Sequence, residues 1–265
     1  MDTDTLPTDK ATLETVTSVQ RWTDALFSFK TTRPNDFRFT PGQYARLGLP
    51  ESNSDTWRAY SITSAPDDDF LEYYGVLVPG GRFTTMLNDL QPGARIWTEK
   101  AVYGFMTADR FNDGDDLWML ATGTGIGPFI SILRDPAVWS RFRRLVLVHG
   151  VRKAEELSYR DELRALQETP PQHNGEAGTA QLHIIATSTR ETADQPGLLQ
   201  GRITTLLENG LLENAAGVPI TVDASRIMLC GNPSMIEDTR RLLHQRGMRP
   251  VRRTLPGQFV TENYW

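Results

Sequence analysis

The chain has 265 residues, of which 39% are hydrophobic and 23% charged, and its formal net charge is −5. This length is sufficient for two domains with separate hydrophobic cores. No run approaches the ~18 apolar residues of a membrane-spanning helix, and the acidic, polar N-terminus lacks the basic and apolar regions of a signal peptide. These features predict a cytoplasmic protein. The one cysteine, Cys230, excludes an internal disulfide and a four-cysteine iron–sulfur cluster within this chain.

The first part of the chain contains short predicted strands broken by turns. Residues 12–19 alternate between polar and apolar side chains, which predicts a strand. Further strands are predicted over residues 24–30, 43–49, 58–63, 71–78 and 95–99, with a short helix over residues 82–90. Many short strands with glycine and proline between them are typical of a Greek-key barrel or sandwich.

After about residue 109, apolar strands alternate with amphipathic helices. Strands are predicted over residues 117–121, 144–149, 183–187 and 226–230, and helices over residues 128–133, 154–166, 203–209 and 233–245. Residues 168–180 are polar and are predicted to form a surface loop. This alternation is typical of a parallel sheet with right-handed crossovers. A ligand is then expected between the domains, at the carboxyl ends of the parallel strands.

The segment Arg58-Ala59-Tyr60-Ser61 suits the binding of a flavin. A guanidinium neutralises part of a pyrophosphate through forked, charge-assisted hydrogen bonds. In a strand, Tyr60 points to the same side as Arg58, and its ring can lie flat on an isoalloxazine. Ser61 adds a small hydroxyl and a backbone amide near the flavin edge. The tetrapeptide alone is a weak signal, because it also occurs on ordinary strands, and its weight comes from the motifs that follow.

A first glycine-containing turn precedes the predicted helix at residues 82–90. Gly80 and Gly81 permit close backbone approach, and the amides that open the helix form an anion site for the flavin pyrophosphate. Arg82 and Thr84 add side-chain donors. A Gly-Gly turn before a helix is also common where no ligand binds, so this motif alone does not establish a phosphate site.

A second such turn, Ala121-Thr122-Gly123-Thr124-Gly125-Ile126-Gly127-Pro128, directly follows a buried strand. Its Gly-x-Gly-x-Gly spacing differs from the Gly-x-Gly-x-x-Gly of the standard dinucleotide-binding domain. Proline suits the first turn of a helix. The pattern predicts a strand–turn–helix whose amides face a nucleotide diphosphate, and the alternative is a tight turn without a ligand.

Three arginines come after later strands: Arg152, Arg190 and Arg202. Two of them lie just past the carboxyl ends of predicted parallel strands. An enzyme that selects NADP needs cations at the ribose 2′-phosphate, where an NAD enzyme prefers an acid. A single arginine is more often a surface charge, but three near the expected rim of the sheet favour a 2′-phosphate site.

Two further features occur near the C-terminus. Cys230, in Cys230-Gly231-Asn232-Pro233 at the end of the last buried strand, either touches a nicotinamide or is a structural cysteine. Residues 239–261 contain no acid but hold six arginines, which indicates a localised anionic partner or else a solvated helix face and tail. The four histidines are scattered, so no metal site is predicted.

Taken together, these motifs resemble the ferredoxin (flavodoxin)–NADP⁺ reductases of the bacterial type, from about Val16 to Trp265. The resemblance is carried by residues 22–28, 58–61, 123–128, 157–160, 189–191 and 228–233 and by the terminal Tyr264-Trp265. It implies an FAD-binding antiparallel Greek-key β-barrel over residues 1–108. It also implies an NADP-binding, doubly wound parallel α/β sheet over residues 109–265, with a C-terminal tail that returns to the FAD.

The resemblance also implies the site residues. Those implied for FAD are Arg58, Ala59, Tyr60, Ser61, Gly75, Val76, Leu77, Arg82, Phe83, Thr84, Thr124, Tyr264 and Trp265. Those implied for NADP are Thr122, Gly123, Gly125, Val151, Arg152, Thr189, Arg190, Arg202, Cys230, Gly231 and Asn232. Catalytic roles are implied for Tyr60, Ser61, Cys230 and Tyr264. Tyr264 is expected over the second flavin face and Trp265 against the adenine, whereas the alternative is a frayed tail.

The activity implied is electron exchange between NADP(H) and a one-electron carrier, ferredoxin or flavodoxin, through FAD. The carrier is expected to be acidic and to dock transiently near Arg249, Arg252 and Arg253, and the enzyme is expected to be a monomer without nucleic-acid or membrane partners. An oxygenase reductase with its own [2Fe–2S] module is a rival that the single cysteine excludes. A flavin-binding regulator without catalysis is a second rival, which would not need three cations at a 2′-phosphate rim.

Overall fold

The computed structural model describes residues 9–50, 57–173, 175–191 and 196–263. Its first half contains strands β1 (Ala11–Arg21), β2 (Leu26–Thr32), β3 (Tyr44–Gly48), β4 (Arg58–Ser61), β5 (Phe70–Val76) and β6 (Arg95–Tyr103), with helix α1 (Arg82–Asn88) before β6. Each element lies where the sequence pattern predicts it, and β6 extends further than predicted.

The first six strands form an antiparallel sheet in the order β4-β3-β6-β1-β2-β5. Its two outer strands meet, because Ile62 forms an antiparallel bridge with Tyr73 and the Thr63 amide donates to the Glu72 carbonyl at 2.8 Å. The sheet therefore closes into a barrel, which removes its exposed edges. The barrel interior is filled by buried side chains that include Phe27, Phe29, Leu47, Ile62, Leu71 and Tyr73.

The second half contains strands β7 (Asp116–Thr122), β8 (Arg144–Val151), β9 (Gln172–His173), β10 (Glu176–Ala177), β11 (Gln181–Ser188), β12 (Leu198–Gln200), β13 (Ser225–Gly231) and β14 (Phe259–Asn263). Its helices are α2 (Gly127–Arg134), α3 (Pro136–Arg141), α4 (Arg160–Glu168), α5 (Ile203–Glu208), α6 (Leu211–Ala216) and α7 (Pro233–Gln245). Within the described ranges, no helix combines the length and the apolar composition needed to cross a membrane.

The second sheet is parallel, in the order β12-β11-β8-β7-β13-β14, and helices cover both of its faces. Leu117 and Met119 of β7 face α2, α3 and α4, whereas Trp118 and Leu120 face α5, α6 and α7. The two-domain architecture predicted from the sequence is thereby confirmed. Because β8 and β13 lie on opposite sides of β7, the chain reverses its direction of winding there, and a ligand site is expected at the carboxyl ends of β7 and β13.

The prediction of one helix over residues 154–166 is wrong. A short 3₁₀ turn, Ala154–Glu156, is separated from α4 by Tyr159, whose backbone is left-handed with φ of 61°. This conformation turns the Tyr159 ring toward the barrel, where its centroid lies 4.6 Å from that of Trp22 and 5.4 Å from that of Tyr74. The hairpin of β9 and β10 lies within the predicted surface loop.

Candidate functional site

Strand β4 presents the four predicted flavin residues with graded burial. Arg58 and Ala59 are exposed, Tyr60 is half-buried and Ser61 is buried. Strand β3 holds this segment in register, with Ala45 paired to Tyr60. Burial raises the pKa of the Tyr60 phenol above its ordinary value, so the ring stays neutral and retains its stacking surface.

The Tyr60 ring lies among other residues predicted to bind FAD. Its centroid is 6.2 Å from that of the buried Phe83, and the two rings are tilted by 32°. A Cβ atom on Gly75 would lie 3.2 Å from the Tyr60 ring and 3.1 Å from the Phe27 ring. A side chain at this position of β5 would therefore crowd Tyr60, so the glycine keeps room for the ring.

Ser61 lies where the two domains touch. A Cβ atom on Gly127, the first residue of α2, would be 3.3 Å from the Ser61 Cβ. The Ser61 Oγ is buried and has no hydrogen-bond partner among the described residues. A buried polar group without a partner costs free energy, and the ring nitrogens and carbonyls of a flavin edge would supply such a partner. The residues present here therefore fit the predicted flavin.

The turn before α1 is held by its own side chain. Gly80 has a left-handed φ of 76°. The Thr84 hydroxyl accepts a hydrogen bond from the Val78 amide at 3.1 Å and donates one to the Gly81 carbonyl at 3.0 Å. The sequence predicts Thr84 as a phosphate donor, and the structure places its hydroxyl inside the turn. Among the described residues, no side chain caps the start of α1, and Arg82 beside it is exposed, so both the amides and this guanidinium can meet an anion.

The glycine-rich turn after β7 is locked against the end of β13. A Cβ atom on Gly125 would lie 2.4 Å from the Cys230 carbonyl oxygen, and one on Gly231 would lie 2.3 Å from the Thr122 Oγ1. The Thr122 Oγ1 also accepts the Asn232 amide at 2.7 Å. The two strand ends at the switch point therefore touch backbone to backbone, which positions this turn and Asn232 at one site.

A buried histidine supports the same turn. The Nε2 of His149, on β8, lies 3.0 Å from the Gly123 carbonyl oxygen. Burial lowers the pKa of His149 to about 4, so the ring is neutral at pH 7, and its Nε2–H then donates to this carbonyl. The sequence indicates only that His149 ends a strand, because the contact joins positions far apart along the chain.

A cavity of about 680 Å³ opens between the domains. The barrel contributes Leu26 and residues 76–79, and the parallel sheet contributes residues 122–124, 150–152, 187, 189–190, 201–204, 232, 234 and 235, together with Glu156 and Asp238. Thr187 was not predicted, although its buried Oγ1 has no hydrogen-bond partner among the described residues. Its position near the carboxyl end of β11 is the signal that the sequence offers.

The three predicted arginines all line this cavity. Arg190 and Arg202 are exposed at its rim. The side chain of Arg152 is 60% exposed and pairs with Glu156, whose carboxylate also accepts the Arg152 backbone amide at 2.9 Å. The Arg190 amide donates to the Arg152 carbonyl at 2.8 Å. The cluster thus concentrates positive charge on one wall, with Glu156 orienting one of its members.

Cys230 lies beside this site. Its side chain is fully buried within the sheet, and its carbonyl oxygen lies against Gly125. The predicted contact between its thiol and a nicotinamide stays a prediction.

The C-terminal strand reaches the same end of the sheet. In β14, Glu262 pairs with Cys230 and Asn263 pairs with Gly231. The predicted residues Tyr264 and Trp265 follow directly, and they lie outside the described residues. The sequence does not single out Glu262, whose Oε2 is buried without a described partner. Burial raises the pKa of this carboxyl to about 7.

The six arginines of the acid-free segment divide into two groups. Arg240 and Arg241 pair with Glu237 and Asp238 on α7, and Arg246 binds the Glu213 carboxylate at 2.9 Å. In contrast, Arg249, Arg252 and Arg253 are exposed, and none of them forms an ion pair with a described residue. The second group is the one that the sequence predicts for carrier docking.

Comparisons with known proteins agree with this geometry. Residues 10–103 match the family described as "Oxidoreductase FAD-binding domain", and residues 119–241 match "Oxidoreductase NAD-binding domain". The two matches coincide with the barrel and with most of the parallel sheet.

Similar proteins cover nearly the whole chain. A flavodoxin/ferredoxin–NADP reductase of Escherichia coli (strain K12) is 43% identical over 251 residues, which are 94% of this chain and 97% of that protein. A ferredoxin–NADP reductase of Azotobacter vinelandii is 37% identical over 254 residues, covering 94% and 96%. The crystal structure of a ferredoxin NADP⁺ reductase from Neisseria gonorrhoeae with bound FAD and NADP has a TM-score of 0.88 and 38% identity, covering 97% and 99%. The chain therefore belongs to the flavodoxin/ferredoxin–NADP reductase family.

Proposed function

We propose that the protein exchanges electrons between NADP(H) and ferredoxin or flavodoxin through FAD. The observation that carries this proposal is the cavity between the domains, in which Val76 and Leu77 of the barrel share a space with Arg152, Arg190 and Arg202. FAD, when bound, accepts two electrons from NADPH and releases them one at a time. The barrel side of the cavity suits a flavin and the arginine rim suits NADP(H). A cavity that has both suits electron exchange between the two cofactors.

In this proposal each of the two domains binds one cofactor. Residues 1–108 bind FAD and residues 109–265 bind NADP, a boundary supported by the end of β6 at Tyr103 and the start of β7 at Asp116. The C-terminal tail, which continues from β14, returns to the flavin.

On the FAD side, the Tyr60 ring stacks on the isoalloxazine, and the Ser61 hydroxyl forms a hydrogen bond with the edge of the isoalloxazine. Arg58, Arg82 and the uncapped amides of α1 bind the pyrophosphate. Gly75, Val76, Leu77 and Phe83 shape the cradle around Tyr60. Support comes from the crowding of Gly75 by the Tyr60 ring and from the unpartnered Ser61 hydroxyl.

On the NADP side, Arg190 and Arg202 bind the 2′-phosphate together with Arg152. Thr122, Gly123 and Gly125 receive the nicotinamide half near Gly231 and Asn232, whereas Thr124 of the same turn contacts the FAD. The close contact between this turn and the end of β13 supports that placement. Thr187, which the sequence does not single out, adds a hydroxyl inside the same cavity.

The carrier docks near Arg249, Arg252 and Arg253, where exposed positive charge attracts an acidic partner. The same proposal includes a monomeric, cytoplasmic enzyme, which size-exclusion chromatography and cell fractionation can test.

The test uses the purified protein loaded with FAD under anaerobic conditions. NADPH is expected to bleach the flavin absorbance promptly, with NADH far slower. Cytochrome c reduction should then require added ferredoxin or flavodoxin, and supplying each carrier in turn identifies the preferred one. If NADPH does not bleach the flavin of the fully FAD-loaded protein, the protein is a flavin-binding module and not a reductase.

A further inference from the structure

Helix α2 is attached to the FAD-binding barrel along its whole length. Its first residue, Gly127, lies against the Ser61 side chain. In its middle, the buried Ser131 hydroxyl donates to the Ser64 carbonyl at 2.7 Å. At its end, the Arg134 guanidinium donates to the Thr63 carbonyl at 2.8 Å. The helix that follows the glycine-rich turn therefore lies along the segment that follows Ser61.

Arg134 joins the two domains by a set of charged hydrogen bonds. Its Nη1 lies 2.7 Å from a carboxylate oxygen of Glu72, on β5 of the barrel, and its Nε lies 2.6 Å from Glu162, on α4. The Arg134 side chain is 15% exposed and that of Glu72 is 5% exposed. Separating a pair that is shielded from water in this way would leave a buried charge without its partner, so the pair favours one arrangement of the two domains.

Tyr159 completes the same contact. Its hydroxyl donates to the second Glu72 carboxylate oxygen at 3.0 Å, and the neighbouring Ser158 hydroxyl lies 2.7 Å from the Tyr74 hydroxyl. Glu72, Tyr74 and Val76 alternate on one face of β5, and Val76 lines the cavity. Strand β5 thus carries both a residue of the cavity wall, Val76, and one partner of Arg134, Glu72.

We propose that Arg134 is a positioning residue for electron transfer between NADPH and the flavin. By fixing the end of α2 on Thr63 and Glu72, it sets where the start of α2, and the glycine-rich turn before it, lie relative to Tyr60 and Ser61. The inference rests on the proposed function, because it concerns the distance between the nicotinamide and flavin sites. The rate of transfer depends strongly on that distance, since a displacement of about 1 Å can lower the rate on the order of 100-fold.

The test compares two double variants that each remove both members of a shielded ion pair. In the first variant the Glu162 carboxylate, whose side chain is 35% exposed and therefore reaches solvent, also loses Arg134. Glu72→Gln/Arg134→Gln removes the pair between the domains. Asp116→Asn/Arg144→Gln removes a pair within the NADP-binding domain, between β7 and β8, and serves as the control. Both proteins are loaded with FAD, and flavin reduction by NADPH is followed by anaerobic rapid mixing. Binding of 2′,5′-ADP, which reaches only the arginine rim, is measured separately.

Glu72→Gln/Arg134→Gln is expected to slow flavin reduction by on the order of 10-fold or more, while FAD retention and the Kd for 2′,5′-ADP change less than about twofold. The control should keep the wild-type reduction rate. The single variant Arg134→Lys, which keeps the positive charge, should retain part of the wild-type rate. Hydrogen–deuterium exchange should rise at α2 and β5 in the first variant only.

Equal reduction rates in the two double variants would overturn the proposal. So would a parallel loss of 2′,5′-ADP affinity, which would indicate general damage to the NADP-binding domain. If NADPH fails to reduce even the wild-type flavin, the proposed function is wrong. In that case hydrogen–deuterium exchange still tests the positioning role, which unchanged exchange at α2 and β5 in the Glu72/Arg134 variant would overturn.

Discussion

A Cβ atom on Gly125 would lie 2.4 Å from the carbonyl oxygen of Cys230, so the glycine-rich turn and the end of β13 are in direct backbone contact. Neither partner is a flexible side-chain end, and therefore neither can move aside cheaply. The contact explains why the turn needs a glycine at a position whose φ is not left-handed. It also places the amides of the turn beside Gly231 and Asn232, where the proposed nicotinamide half lies.

Gly125→Ala is expected to destabilise the NADP-binding domain by about 1–3 kcal/mol, because the backbone must shift to admit the methyl group. The KM for NADPH should rise as the turn moves. Gly123→Ala is the comparison, since its Cβ would meet nothing within 4 Å and only its φ of 55° is unfavourable, a cost of about 1–2 kcal/mol. Thermal unfolding and NADPH kinetics of both variants test this. A smaller KM increase for Gly125→Ala than for Gly123→Ala would contradict it.

Arg190 is expected to provide much of the preference for NADPH over NADH. A guanidinium–phosphate pair is a charge-assisted, forked contact worth roughly 1.5–3 kcal/mol. Arg190→Ala should raise the KM for NADPH by on the order of 10–100-fold and leave that for NADH nearly unchanged. Arg164→Ala, on the exposed face of α4, serves as the control for loss of a positive charge. An equal loss with both cofactors would assign Arg190 a structural role.

Charge reversal at Arg249 and Arg252 should slow carrier reduction but spare reduction of ferricyanide. Both side chains are exposed, and screening should weaken their attraction for an acidic carrier as ionic strength rises. Reversal at Arg160 and Arg164, on α4, changes the net charge equally and should have little effect on either rate. If the Arg249/Arg252 variant keeps both the carrier rate and its salt dependence, these arginines are only solvated surface.

The sequence predicts both sheets because their signals are local. Period-two alternation and apolar runs identify nearly every strand that positions the site, and the convergence of parallel strand ends predicts that Arg152, Arg190 and Arg202 meet. Strand β14 is missed, because its five residues, Phe259–Asn263, are short and partly polar.

Features that depend on side-chain direction are not predictable in this way. The run from Ala154 to Leu166 favours a helix by propensity, but Tyr159 adopts a left-handed backbone and packs on Trp22, so tertiary contacts override propensity. The role of Thr84 as a phosphate donor stays a prediction, and the sequence does not show that its hydroxyl closes its own turn. The orienting contact from Glu156 to Arg152 and the support of Gly123 by His149 likewise appear only in three dimensions.

Glu262 should make stability depend on pH. Burial raises the pKa of its carboxyl from 4.5 to about 7. Between these values the unfolded chain has lost the proton and the folded protein retains it, so the free energy of unfolding falls as pH rises, by up to about 3 kcal/mol in total. Above pH ~7 this contribution no longer changes.

Glu262→Gln should remove this fall, so that the variant gains stability relative to the wild type as pH increases from about 5 to about 8. Urea unfolding at several pH values measures the effect, with Glu208→Gln on the exposed face of α5 as the control. Parallel curves for Glu262→Gln and the wild type would show that the Glu262 carboxyl titrates normally.

The last described residue of β14, Asn263, lies beside the proposed nicotinamide site. Asn263 pairs with Gly231, and Gly231 lies against Thr122 at the start of the glycine-rich turn. Tyr264 and Trp265 follow Asn263 in the sequence, and we propose that they cover the flavin. Tyr60 can cover only one face of the isoalloxazine, and a terminal aromatic pair can cover the other. Aromatic stacking is worth ~0.5–1.5 kcal/mol beyond burial, which is enough to hold the tail and small enough for nicotinamide to displace it.

A protein truncated after Asn263 should therefore bind nicotinamide more tightly, discriminate less against NADH and release FAD more readily. Nicotinamide should bind more tightly and with less discrimination because the removed Tyr264 ring no longer competes for the flavin face. FAD should be released more readily because its adenine loses the contact with Trp265. Flavin retention on gel filtration, the NADP⁺ affinity and the ratio of kcat/KM for NADPH to that for NADH measure the three effects. Tyr264→Phe, which keeps the ring, is the control and should resemble the wild type. Unaltered values of all three in the truncated protein would contradict a capping role and leave a frayed tail.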